Sequence, residues 1–258
     1  MKYTPLFLVV FALYVQASPS TRVINGQQAT PGSAPYHVHL LIRLNAQSQE
    51  TRVGSGCLIS MTHTLTTAQN VRNFGQWQVG VGNVNREQLQ WSQWTSQNVI
   101  HPQFDHNTLN NNIAIIMVQQ PFQASVNIQA IALPAATDTQ VPFANEEGRF
   151  NGFGFTGPTG PFANQLMMGF KRTTTDQACA QAYPHLAPFL NNNFCAVDNA
   201  QSTFCAGDQG TCIVGIVRFQ TVCVGLASFT NQQCNAQVPG AFVRISTYRQ
   251  WIQQHTGI

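Results

Sequence analysis

Charge is what this sequence most lacks. Only 8% of its 258 residues are Asp, Glu, Lys or Arg, about a third of the share usual in soluble chains. Removing residues 1–22 would take away Lys2 and Arg22, leaving 10 basic against 9 acidic residues. Without a Lys/Arg run, that near balance gives no electrostatic footprint for nucleic acid or an anionic membrane surface. No Asn-x-Ser/Thr sequon occurs, so N-glycosylation is not expected. No long apolar run occurs either. The longest, Leu6–Val15, follows Lys2 and leads into Val15-Gln16-Ala17; it is too short to span a bilayer and ends as a cleavable secretory signal does. The sequence therefore predicts a signal peptide over 1–17, a short propeptide over 18–22 and an extracellular mature chain.

Amides stand where charges usually do, Asn and Gln making up about a fifth of the chain. They are spread among ordered apolar patterns and form no low-complexity tract.

Short β-type runs separated by turn residues fill the chain: "YHVHLLIRL" from Tyr36, "GCLIS" from Gly56, "WQVGVGNV" from Trp77, "NIAIIMV" from Asn112, "TCIVGIVRF" from Thr211 and "TVCVGLASF" from Thr221. One helix is expected, at the C-terminus, capped by Ser246 and presenting Tyr248, Trp251, Ile252 and His255 on one face. Many short strands and a late helix imply an all-β barrel or sandwich architecture. The Pro-containing stretch 133–142 is the expected boundary between two comparable halves.

Several of these stretches, in order, resemble the chymotrypsin/trypsin-like serine peptidase family over residues 22–258. "RVING" from Arg22 is similar to an activation junction, "SGCLIS" with "LTTAQN" to the histidine segment, and "NNNIAII" to the aspartate segment. "NGFG" from Asn151, "GDQG" from Gly207 and "PGAFVRIS" from Pro239 complete the set. The resemblance implies two six-stranded Greek-key barrels with a cleft between them, followed by the C-terminal helix.

It also implies a catalytic histidine at Gln69, an aspartate at Asn112 and a serine at Gln209, and all three positions hold amides. A hydroxyl nucleophile needs a base with a pKa near neutral, and an imidazole base needs a carboxylate to hold its tautomer. An amide does neither. His63, Asp105 and His106 are the nearest candidate replacements, although none supplies a nucleophile. The three amides are expected to hydrogen-bond one another, and Asn112 avoids the cost of a buried, unpaired carboxylate.

Other parts of the pattern are retained. Arg22 before Val23-Ile24 is a plausible cleavage site, and the resemblance makes Asp208 the partner of the new α-amino group, a charge-assisted pair able to order nearby loops. The backbone N–H groups of Gly207 and Gln209 would form an oxyanion-type pocket. Thr203 would lie at the base of a neutral specificity pocket, with Ser228, Phe229, Thr230 and Gly240 along its walls and Thr230 narrowing the entrance.

Seven cysteines fit an oxidising compartment. The resemblance pairs Cys179 with Cys195 and Cys205 with Cys234; spacing on adjacent strands suggests Cys212 with Cys223. Cys57 is left over, because Asn70 stands where its partner would be. A buried free thiol is the expectation for Cys57, an intermolecular disulfide the alternative. His37 and His39 alternate onto one strand face, but no third metal ligand is nearby in sequence. No metal or cofactor is expected.

These readings together point to a secreted, non-catalytic serine peptidase homologue, a monomer that binds a protein partner: a peptidase, a peptidase inhibitor or a substrate-like protein. Two other classes stay open at the sequence level. One is residual peptidase activity or another enzyme using Asp105, His106 or Cys57; the other is an abundant structural protein.

Overall fold

The computed structural model describes residues 26–138, 147–157, 160–197, 202–234 and 237–258. The signal, the propeptide and the Arg22–Val23 junction lie outside the described residues, as do residues 139–142 of the boundary stretch.

The described chain is all-β with two short helices. Strand β1 (Gln27–Gln28) precedes the first group, which comprises β2 (His37–Arg43), β3 (Arg52–Leu58), β4 (His63–Thr66), β5 (Gln76–Val81), β6 (Trp91–Thr95), β7 (Gln97–Ile100) and β8 (Ala114–Met117). The second group holds β9 (Gly148–Gly152), β10 (Met167–Thr173), β11 (Asn193–Val197), β12 (Cys212–Val217), β13 (Gln220–Phe229) and β14 (Gly240–Arg244). Helix α1 (Asp176–Ala182) lies between β10 and β11, and α2 (Arg249–Thr256) ends the chain.

The second group closes. Its order is β10-β11-β14-β13-β12-β9, and β9 pairs back onto β10, with β1 added at the edge of β10. The first group does not close by a backbone hydrogen-bond ladder, which corrects the expectation of two closed six-stranded barrels. It is a curled, open sheet in the order β6-β5-β2-β3-β4-β8-β7. Its two edges are successive pieces of chain parted by Ser96. At the bend, Thr95 Oγ1 donates to Met117 O at 2.7 Å and accepts from Gln97 N–H at 3.1 Å, a side-chain link between the two edges where no ladder forms. The strand leaves β5 at Thr95 and takes up β8 from Gln97.

Strand alternation divides the apolar residues into layers. Val38, Leu40, Ile42, Leu58, Trp77, Val79 and Ile116 fill the first sheet, and Phe150, Phe194, Phe204, Ile213, Val224 and Phe242 fill the barrel. A third layer joins them: Tyr36, Cys57, Leu65, Ile115 and Phe153 pack with Cys212, Cys223, Leu226, Val243, Trp251 and Ile252. At roughly 1.5–3 kcal/mol for each large apolar side chain, this shared layer holds the two sheets against one another.

The C-terminal helix is present, with a different start. A 3-10 turn over Ile245–Tyr248 leads into it, and Ser246 makes no side-chain cap. Ser246 lies inside that turn, where its carbonyl accepts from Arg249 N–H. Tyr248, Trp251 and Ile252 are buried as expected, whereas His255 is exposed. Helix α1 is an addition to the sequence reading, capped by Thr175 Oγ1 accepting from Ala178 N–H at 3.2 Å.

Candidate functional site

Three pieces of chain bring the degenerate positions together. Strand β4 runs into a 3-10 turn over Ala68–Asn70 that carries Gln69, Asn112 stands just before β8, and Gln209 lies in the turn before β12. The end of β13 supplies the meeting point, Ser228.

Asn112 is fully buried with both halves of its amide in use. Its Oδ1 accepts from Gln69 N–H at 3.1 Å, and its Nδ2 donates to Ser228 Oγ at 2.8 Å. Gln69 Nε2 donates to Ser228 O at 2.6 Å. Two amide positions are therefore linked through one backbone N–H and through Ser228. The third takes no part, which corrects the expectation of a three-amide network.

Gln209 turns the other way. Its Oε1 accepts from Gly207 N–H at 2.9 Å. The expected oxyanion-type pocket is therefore not open, since one of its two donors is already bonded to the side chain that replaces the nucleophile. Gly207 has φ +96°, a backbone conformation that favours glycine. The turn is tied to the first sheet by residues the sequence reading did not single out as site residues. Gln209 O accepts from Ser55 N–H at 3.1 Å and from Asn70 Nδ2 at 2.7 Å, and Ser55 Oγ donates to Gly207 O at 2.9 Å. Asn70, read only as an absent cysteine, is a bridge between the sheets. The signal was its place next to Gln69.

Asp208 is fully buried beneath this turn. Its Oδ1 accepts from Gly154 N–H at 2.7 Å and its Oδ2 from Cys205 N–H at 3.0 Å. A methyl at Gly152 or Gly154 would overlap the carboxylate, so the "NGFG" stretch is shaped around it. Burial raises the Asp208 carboxyl to about 7, opposed by those two backbone N–H groups.

Thr203 and Ser228 are buried, while Phe229 and Thr230 are half-buried. Phe229 packs edge-on against Tyr183 at 4.9 Å and tilted over His185 at 5.6 Å. The Phe204 ring lies so close to Gly240 that a methyl there would overlap it. Thr203, Ser228, Phe229, Thr230 and Gly240, the residues expected to line a pocket, carry no ionisable side chain.

The candidate rescuers are held elsewhere. His63 Nδ1 bonds to Ser60 Oγ at 2.9 Å and Thr62 Oγ1 at 3.0 Å, within its own turn. Asp105 accepts from Asn107 N–H and Thr108 Oγ1, both at 2.8 Å, which closes its loop; His106 is exposed beside it. His37 and His39 each make a T-shaped contact with Phe153, ring centroids 5.4 Å apart, and show no catalytic-type interaction. Burial lowers them to about 3 and about 4, so both are neutral imidazoles.

Disulfides join Cys179 to Cys195, Cys205 to Cys234 and Cys212 to Cys223, and Cys57 is free and buried.

Known proteins are similar to this chain in sequence and in overall fold. A chymotrypsin of Phaedon cochleariae is 24% identical over 93% of this chain and 84% of its own length. A collagenase of Hypoderma lineatum is 27% identical over 98% of both chains, and a chymotrypsin-C of Mus musculus is 28% identical over 91% and 89%. The solved HL collagenase structure superposes with a TM-score of 0.80 at 27% identity, covering 91% of this chain and 99% of its own. The trypsin family profile matches residues 23–252, and with that span added to the disulfides, the closed barrel and the Gly207–Gly210 turn, the chain belongs to the trypsin family.

Proposed function

We propose that this protein is a secreted, non-catalytic member of the trypsin family that acts by binding another extracellular protein. The observation that carries the reading is Gln209: an amide occupies the nucleophile position, and its own oxygen holds the Gly207 N–H. A tetrahedral intermediate needs that donor free as well as a hydroxyl and a base. Gln69 and Asn112 bring neither base nor counter-charge, and both are spent on Ser228. The apolar run at 6–15 and three disulfides support a secretory route.

The partner is a peptidase, a peptidase inhibitor or a substrate-like protein, since those are the molecules that recognise a trypsin-like surface. Cleavage after Arg22 would present a new α-amino group at Val23, and the buried Asp208 is the carboxylate it would pair with. The test is affinity capture from the source fluid with Val23–Ile258 beside an uncleavable Arg22→Gln precursor. Selective retention of a peptidase or inhibitor by the cleaved form supports a switched binding protein. Equal, unselective capture by both forms would contradict it.

A further inference from the structure

The sulfur atoms of Cys57, Cys212 and Cys223 lie within 4.8 Å of one another. Cys212 and Cys223 are bonded across the β12–β13 hairpin, and Cys57 is the free thiol. Cys57 Sγ accepts the backbone N–H of Cys212 at 2.7 Å, so it is seated against a residue whose sulfur it could bond. All three residues are fully buried in the layer that joins the two sheets. None takes part in the site around Gln69, Asn112 and Gln209.

We propose that Cys57 is an internal exchange partner of the Cys212–Cys223 disulfide, so that the chain adopts two covalent forms, one bridged within the hairpin and one bridged between the two sheets. The Cys57 thiolate attacks Sγ of Cys212, forming the Cys57–Cys212 bond as the Cys212–Cys223 bond breaks. Cys223 departs as a thiolate and takes up the proton that Cys57 released. Attack on Cys223 is the equivalent step with Cys212 as the leaving thiol. One disulfide and one thiol stand on each side, and no external oxidant or reductant is consumed.

Two features make the exchange slow. Burial holds the Cys57 thiol well above the ordinary thiol range, so the attacking thiolate is scarce. With all three sulfurs so close together, the thiol also stands beside the disulfide and not on its axis, and the Cys57 side chain must rotate before attack. An uncatalysed rearrangement over minutes to hours follows.

The covalent consequence is large. The hairpin bridge spans 11 residues, whereas Cys57 and Cys212 are 155 apart. Closing the longer loop removes more freedom from the unfolded chain. It also fastens β3 to the strand that begins three residues after Gln209, where hydrogen bonds from Ser55 and Asn70 otherwise make the connection.

The full-length secreted protein is the sample. Free thiols are labelled with N-ethylmaleimide in acidic denaturant, and labelled and linked peptides are mapped by mass spectrometry before and after incubation at about pH 8.5, near the free thiol pKa, without redox reagents. We expect label to move from Cys57 to Cys223 or Cys212 at a rate independent of protein concentration, with a matching Cys57-linked peptide. Label confined to Cys57 throughout would overturn the proposal. A Cys223→Ser variant made in an oxidising secretory compartment should carry a Cys57–Cys212 bridge, and two free thiols in that folded variant would equally overturn it. Should the variant fail to fold, the labelling of the unsubstituted protein decides alone.

Discussion

An amide side chain carries a donor and an acceptor without charge, and positions 69, 112 and 209 use that property differently. At Asn112 both halves are engaged in a fully buried setting. Replacing it by Asp would bury a charge for which the sequence supplies only another amide at position 69. We predict that Asn112→Asp costs several kcal/mol at neutral pH, read as a fall in urea midpoint, and that the deficit relative to the parent shrinks as the medium is acidified and the carboxyl takes up its proton. At Gln209 only the oxygen makes a side-chain hydrogen bond, to Gly207 N–H. Gln209→Ala should therefore cost about 1 kcal/mol, the usual worth of one hydrogen bond, measured by the same titration, without creating turnover.

The same residues show where the sequence stopped being informative. The order of the motifs fixed positions 69, 112 and 209 as site positions, because a turn glycine, an acid and a second glycine around Gln209 have few alternatives. It could not tell where the Gln209 side chain turns, since several rotatable bonds let a glutamine reach either the cleft or its own loop. Nor could it show that Ser55 and Asn70 support residue 209, since those contacts join residues more than a hundred positions apart.

At the scale of elements, the strands were legible because alternation and turn residues are local signals. Helix α1 was not: seven residues with one buried position leave almost no helical period to detect. The open first sheet was missed for a related reason. Its break at Ser96, where pairing passes from β5 to β8 beside the Thr95–Met117 hydrogen bond, joins residues far apart in sequence, which no local pattern announces. The "NGFG" stretch illustrates the opposite case, where a glycine has a reason visible only in three dimensions. A methyl at Gly154 would overlap the Asp208 carboxylate, whereas one at Gly157 would meet nothing within 4 Å. We predict that Gly154→Ala destabilises by at least about 2 kcal/mol while Gly157→Ala stays within about 0.5 kcal/mol, compared by denaturant unfolding.

At the scale of the whole molecule, the buried groups His37, His39 and Asp208 contribute to the response to pH. His37 and His39 fall from 6.5 to about 3 and about 4, so their contribution is present above pH 6.5 and is lost as pH falls through those lower values. Asp208 rises from 3.8 to about 7 and acts in the opposite sense: its contribution is present below 3.8 and lost as pH rises toward 7. The two histidines outweigh the one carboxyl, so the uncleaved protein should lose stability on acidification from pH 6.5 toward 4. If cleavage brings an α-amino group to Asp208, the ion pair keeps the carboxyl charged and removes the opposing contribution. Thermal unfolding of cleaved protein and Arg22→Gln precursor should then diverge, with the cleaved form losing more melting temperature between pH 7 and pH 4. Parallel curves would show that no such pair forms.

A trypsin-family scaffold whose nucleophile position is filled by an amide bonded to its own loop should have no peptidase chemistry, and turnover measures this most directly. The cleaved Val23–Ile258 protein would be assayed against a mixed panel of chromogenic peptide esters, which are more easily cleaved than amides, with Gln209→Ala as the paired control. The account predicts rates equal to the buffer background for both proteins. Hydrolysis above background by the parent that disappears in Gln209→Ala would contradict it, because it would place residue 209 in a working catalytic site.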